Sequence, residues 1–115
     1  MNLLDTHIII ELLRKRKHEV GAISTITLIE VLKGLDTEKR AKAKELLEES
    51  FNTRAIDNKT IETYCNLYQK LQKEENQTPD ADLLIAATAI SNNIALKTRD
   101  QHFQRLKTHG LEITT

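Results

Sequence analysis

Four acidic residues in this chain stand where packing and solvation alone leave them unexplained. Asp82 falls in the first turn of a segment, Leu83 to Ile90, that is apolar almost all the way round. A helix buried on every face has no need of an acid there. Asp5 closes the short apolar run Asn2-Leu3-Leu4, and Asp100 lies just beyond Ile94-Ala95-Leu96. Glu30 sits between Ile29 and Val31 inside a third apolar stretch. Brought together without partners, such carboxylates repel: at ~4 Å and an effective dielectric of about 20, each close pair costs on the order of 4 kcal/mol. Lysine or arginine pairing, shared protons or a divalent cation must relieve that. An all-oxygen donor set suits hard cations, Mg2+ or Mn2+, which keep several waters and bind through a few carboxylates. With a phosphodiester substrate, such ions bind a phosphoryl oxygen, activate an attacking water and stabilise the leaving oxygen.

Each acid also has a plainer role. Asp5 and Asp100 are placed to cap the helices that follow them, and Asp57, just before Asn58, reads as a cap too. Glu30 can pair with Lys33 three residues on. Asp82 can complement a helix amino terminus, although Asp80 already does so. No His/Cys cluster has zinc spacing, and there is no glycine-rich phosphate loop and no Ser-His-Asp order. His7 and His102 lie near the acids and read as packing or hydrogen-bonding groups.

The elements that would position these residues follow from hydrophobic spacing. Strands are expected at Asn2–Leu4, Val20–Ile23, Thr53–Ile56, Ile94–Leu96 and Leu111–Ile113. Helices are expected at His7–Leu13, at Ile26–Leu35 with Gly34 as its stop, and at Glu38–Ser50. A longer one runs from Asn58 through Ile61, Tyr64, Cys65, Tyr68 and Leu71. Thr78-Pro79-Asp80 opens the buried helix, because proline suits a first helical turn. A short helix follows at Gln101–Leu106. Strands alternating with helices predict an α/β fold, a parallel sheet covered on both faces. Sites in such sheets form beyond the carboxyl ends of strands, where Asp5, Asp57 and Asp100 all fall.

Composition narrows the function. The 115 residues suit one domain, 1–115, and 17 basic residues balance 17 acidic ones. A protein that merely coats nucleic acid would be basic, so contact with RNA or DNA here must use local patches or metal ions. Two Tyr, two Phe and no Trp argue against a base-stacking sheet of the RRM type. Cys65 is alone, which fits a reducing cytoplasm, and its helical setting reads as packing. No apolar run approaches the ~20 residues of a membrane span. The amino terminus lacks the charged and apolar regions of a signal peptide. The basic run Arg14-Lys15-Arg16-Lys17 reads as a complement to a helix carboxyl end, with a phosphate-contacting patch as the alternative.

Four segments together resemble the signature segments of PIN-domain ribonucleases, and most closely VapC-type toxins of VapBC toxin–antitoxin pairs. They are Leu3-Leu4-Asp5-Thr6, Ser24 to Gly34 with its Glu-x-x-x-Gly, Asp82-Leu83-Leu84-Ile85-Ala86-Ala87, and Leu96 to Phe103. The resemblance spans the chain in the family's order. It implies a PIN-like three-layer fold, a central parallel sheet with helices on both faces. It implies an acidic pocket holding Mg2+ or Mn2+ through Asp5, Glu30, Asp82 and Asp100, with Thr6 and Thr98 supporting the metal or its waters. The last of those acids is often Asn in the family. The activity implied is that of a metal-dependent endoribonuclease toxin cleaving RNA through a metal-activated water. The implied partners are an RNA substrate, a VapB-like antitoxin and a second copy in a homodimer, with no membrane association. Two alternatives stay open: a PIN nuclease of RNA processing without an antitoxin, and a receiver-like domain with Asp57 as phosphoacceptor.

Overall fold

The computed structural model describes residues 1–115. Five short strands form one parallel sheet: β1 (Leu3–Leu4), β2 (Ala22–Ser24), β3 (Asn52–Arg54), β4 (Leu96–Lys97) and β5 (Ile113–Thr114), in the spatial order β3-β2-β1-β4-β5. Leu3 pairs with Ala22 on one side and Leu96 on the other, so β1 is central. The chain first builds outward from β1 to β2 and β3, then returns to β4 on the opposite flank of β1. The order therefore reverses between β1 and β4, and open parallel sheets bind ligands at such a switch point.

The pleat sends successive side chains to opposite faces. Leu4 and Ile23 enter a core cluster with Ile8, Ile9, Leu28, Leu32, Leu47 and Phe51. These come from α1 (Thr6–Lys15), α2 (Thr25–Leu32) and α3 (Thr37–Ser50) with its trailing Phe51. Leu3, Ala22 and Leu96 enter the other cluster with Leu67, Leu71, Leu83, Ile85 and Phe103. Those belong to α4 (Asn58–Lys73), α5 (Asp80–Ser91) and a 3-10 helix, Gln101–His109. Helix α5 buries Leu83, Ile85, Ala86, Ala87, Thr88 and Ala89, as its all-round apolar character requires.

Several expectations need correcting. Helix α2 ends at Leu32, and Lys33 caps it in ordinary helical geometry. Gly34 is therefore no left-handed stop; Gly110 is the one glycine with positive φ. The expected inner stripe of α4 holds in part: Leu71 is buried and Tyr64 packs partly buried against the core, while Ile61, Cys65 and Tyr68 are exposed and Thr60 and Leu67 are buried instead. Thr60 tolerates burial because its hydroxyl is bonded to Asp57 Oδ1 (2.9 Å) and to Ser91 Oγ (2.8 Å). On α3, Leu47 is buried while its neighbour Leu46 is 52% exposed. The third strand is polar and shorter than expected, held at the edge by its ladder to β2.

Candidate functional site

Asp5 follows β1 directly and caps α1, its Oδ1 accepting the Thr6 N–H at 2.8 Å. Its other oxygen, Oδ2, accepts the Thr98 hydroxyl at 2.7 Å across the switch point. With both oxygens engaged, this buried carboxyl is fixed in place. Burial is the chief reason its pKa is raised, against the lowering effect of the two hydrogen bonds. Thr98 in turn accepts the Asp100 N–H at 3.0 Å. Asp100 then caps the 3-10 helix, accepting the His102 N–H at 2.9 Å. That backbone bond leads the influences that hold Asp100 below the usual carboxylate range.

Glu30 approaches from α2. Its Oε1 accepts the Thr6 hydroxyl at 2.7 Å, and Thr6 Oγ1 also lies 3.0 Å from Thr27 Oγ1. Ser24, which caps α2 through the Thr27 N–H, closes this buried row of hydroxyls. Asp82 arrives from the first turn of α5, whose start has no side-chain cap. Its pKa is raised first by burial and then by the negative charges of Asp100, Asp5 and Glu30, with His102 opposing.

Asp5, Glu30, Asp82 and Asp100 all line one cleft of about 240 Å3, together with Thr6, His7 and Lys33. Four chain segments thus bring to one place acids that lie as far apart in sequence as Asp5 and Asp100. No three of them are close enough as they stand to hold one ion directly. A hydrated hard cation that takes one or two carboxylates and fills its shell with water matches that spacing. The donor set is all oxygen, and the repulsion felt by Asp82 is the imbalance a cation corrects.

The sequence matches the PIN domain family over residues 3–108. It is 38% identical to Ribonuclease VapC1 of Methanocaldococcus jannaschii across 96% of this chain and 85% of that protein. The chain belongs to the PIN-domain family. Within it, the likeness is to the VapC type. The fold superposes on the VapBC-1 structure from nontypeable Haemophilus influenzae with a TM-score of 0.83 and 28% identity, covering 98% of this chain and 96% of that one. It also matches VapBC-5 of Mycobacterium tuberculosis, a member of the VapBC family of toxin-antitoxin systems. There the TM-score is 0.73 and the identity 26%, covering 97% of this chain and 95% of that one.

In this PIN chain the two hydroxyls expected near the metal have more specific duties. Thr98 holds Asp5, and Thr6 holds Glu30. The capping roles considered for Asp5 and Asp100 are also real, so the same side chains cap a helix and line the cleft. No ion pair joins Glu30 to Lys33; the Thr6 hydroxyl is Glu30's partner. Asp57 is outside the cleft, exposed, and occupied in capping α4 through the Thr60 N–H. The phosphoacceptor alternative falls with it, because β3 is an edge strand and the acids gather at β1 and β4. From sequence, Lys33 enters only as a pairing partner for Glu30 and Ser24 only as the start of a segment, and Thr27 has no role at all. Their signal was faint: a Ser-x-x-Thr at a helix start is an ordinary cap, and a lone lysine an ordinary surface residue.

Proposed function

We propose that this PIN-domain chain is an endoribonuclease toxin of a toxin–antitoxin pair, dependent on Mg2+ or Mn2+. The observation that carries the reading is the cleft itself: four carboxylates on separate elements, with Asp82 pushed up by burial and then by the other three. A divalent cation bound there supplies charge neutralisation at the scissile phosphate and a water of lowered pKa.

The chain's own residues do the rest. Asp5 and Asp82 would hold the cation, with Glu30 and Asp100 acting directly or through its waters. Thr98 and Thr6 keep the Asp5 and Glu30 carboxylates aimed without themselves needing to touch substrate. Lys33, on the cleft rim, offers the cation that an incoming phosphate requires. The printed names of the relatives support the rest of the reading: one is a ribonuclease and others are VapBC pairs. On that basis the partners are RNA, a VapB-like antitoxin and a second copy of the chain, and residues 1–115 act as one domain.

Asp5→Asn and Asp82→Asn test it. Each should abolish RNA cleavage and growth arrest while leaving the far-UV circular dichroism unchanged. EDTA should stop the wild type, and Mg2+ or Mn2+ should restore it. Cleavage that continues in EDTA, or in Asp82→Asn, refutes the mechanism. Copurification of the product of an adjacent upstream gene separates a toxin from an RNA-processing PIN nuclease.

A further inference from the structure

The largest cavity, about 640 Å3, is not the acidic cleft but lies on the other side of the amino-terminal turn of α5. It is formed where the end of α4 passes through residues 74–79 into α5. Tyr68, Gln72, Glu75, Asn76, Gln77 and Asp80 supply its chemistry. The size falls within the ~300–1,000 Å3 of small-ligand sites. No lysine, arginine or histidine lines it, so it does not suit a phosphate. Three amide side chains offer paired donors and acceptors, and two carboxylates offer acceptors.

The loop is held ready. Arg105 of the 3-10 helix donates to the Gln77 carbonyl at 3.0 Å, and His109 Nε2 lies 2.9 Å from Glu74 Oε1. Tyr64 donates its hydroxyl to Asp80 Oδ1 at 2.7 Å, leaving Oδ2 without a protein partner. Tyr68 stacks on Tyr64, with ring centroids 6.2 Å apart, and is 45% exposed on the wall of the cavity. Thr78, another wall residue, has a buried hydroxyl with no hydrogen-bond partner.

An exposed aromatic face beside amides and a half-free carboxylate is what an unstacked base takes: stacking on one side, hydrogen bonds along its edge. Guanine presents two adjacent donors, N1–H and the 2-amino group, which Asp80 can accept with its free Oδ2 and the second lone pair of Oδ1; adenine, cytosine and uracil offer no such pair. Asp80 faces this cavity and Asp82 the acidic cleft, two residues apart on one turn of a helix about 10–12 Å across. A strand whose phosphate lies in the cleft can reach the cavity with a neighbouring base.

We propose that this cavity is a base subsite taking a guanine beside the scissile phosphate, with Tyr68 as its stacking face and Asp80 as its edge reader. The proposal rests on the endoribonuclease reading for its place in catalysis, but its binding chemistry can be tested alone.

Tyr64 and Tyr68 are the only tyrosines, and there is no tryptophan, so tyrosine ring resonances report on this cavity directly. GMP added to the metal-free full-length protein should shift those resonances and the Asn76 and Gln77 side-chain amides. AMP, CMP and UMP should shift them less. Tyr68→Ala and Asp80→Asn should weaken GMP binding, and Tyr68→Phe should retain it. Loss of one stacked base is worth roughly 1–3 kcal/mol, or about 5- to 150-fold in affinity. On a randomised RNA, Tyr68→Ala should lose a guanine preference next to the cut. GMP shifts without any RNA cleavage would support the subsite and remove the endoribonuclease reading. Cleavage with no nucleotide-induced shifts and an unchanged preference in Tyr68→Ala would overturn the subsite alone. Shifts caused by argininamide but not by GMP would overturn it in favour of a basic peptide.

Discussion

Asp5 shows how one side chain can serve both the fold and the site. Its two oxygens are committed to Thr6 N–H and the Thr98 hydroxyl, so its direction is set before any ligand arrives. Thr98→Val keeps the shape and deletes one of those bonds. Leaving a buried acceptor without its partner costs about 1–3 kcal/mol, measurable by urea unfolding. Asp5 also loses an influence that lowers its pKa, so the rising limb of the cleavage pH profile should move to higher pH. Asp82 gives the converse case. Its pKa is raised in the folded state, so ionising it costs stability. That cost is absent below the unfolded carboxylate pKa and complete above the raised one. Asp82→Asn should therefore stabilise the metal-free protein at pH 7 and leave it unchanged near pH 3. The gain should be less than about 1 kcal/mol, because half-exposed charges are screened. Thermal melts at the two pH values check this, and a Tm that falls at pH 7 refutes it. Asp57 and Asp100 have lowered pKa values. Their stabilisation is present above the unfolded pKa and lost as pH falls through the folded one, so they contribute to acid unfolding alongside Glu11, whose pKa its hydrogen bonds to Lys15 and Arg99 lower to about 2.

At the scale of elements, two glycines in the first third of the chain carry opposite expectations. A Cβ at Gly21 would meet Leu4 Cγ at 2.8 Å and Cδ1 at 2.9 Å, beside the backbone oxygen of Asn2 at 3.1 Å. Gly21→Ala should destabilise by about 1–3 kcal/mol, the usual result of overpacking a core strand. A Cβ at Gly34 meets nothing within 4 Å, and its φ is not positive. Gly34→Ala should leave the fold intact or stabilise it by about 0.4–1 kcal/mol. Equilibrium unfolding of both variants decides. The same contrast explains what the residues alone disclosed. The acids were legible because each stood at a strand end or in a helix turn where packing gave it no reason to be. The turn of α4 was only partly so, because Ile61, Cys65 and Tyr68 have helical spacing and look like a core stripe, whereas the buried side includes Thr60. A threonine with its hydroxyl satisfied packs as well as valine, and nothing local announces the satisfaction. β3, Asn52-Thr53-Arg54, has no apolar residue to mark it; its place comes from backbone pairing with β2 and from the bonds Arg54 makes with Thr25 and Asn92. The hydroxyl row Ser24, Thr27 and Thr6 was equally silent, since it joins segments 21 residues apart.

For the whole molecule, the cleft lies where β1 and β4 diverge, and a cation there ties together groups from α1, α2, α5 and the loop after β4. Binding to the folded state alone adds RT ln(1 + [L]/Kd), about 2.7 kcal/mol at 100 times Kd. Mg2+ or Mn2+ should accordingly raise the Tm of the wild type and not that of Asp82→Asn. As ligands in the proposed mechanism, Asp5 and Asp82 would have to give up protons to bind, and both have raised pKa values, so the effect should shrink as pH falls. A Tm increase that is equal at pH 5 and pH 8 counts against these two ligands. No helix is long and apolar enough to cross a membrane.

The bond between Thr98 and Asp5 spans 93 residues, and this has a bearing on biosynthesis. A chain made from its amino terminus exposes Asp5 early, yet the residue that aims it, the strand beside it and Asp100 all emerge late. Pairings of such long range must wait for the chain that completes them. A ribosome-bound chain therefore has no assembled cleft until residue 98 and its strand have emerged, and the machinery making it is spared its chemistry until then. Fragments stopped before residue 98 should be inert, even with Asp5, Glu30 and Asp82 all present.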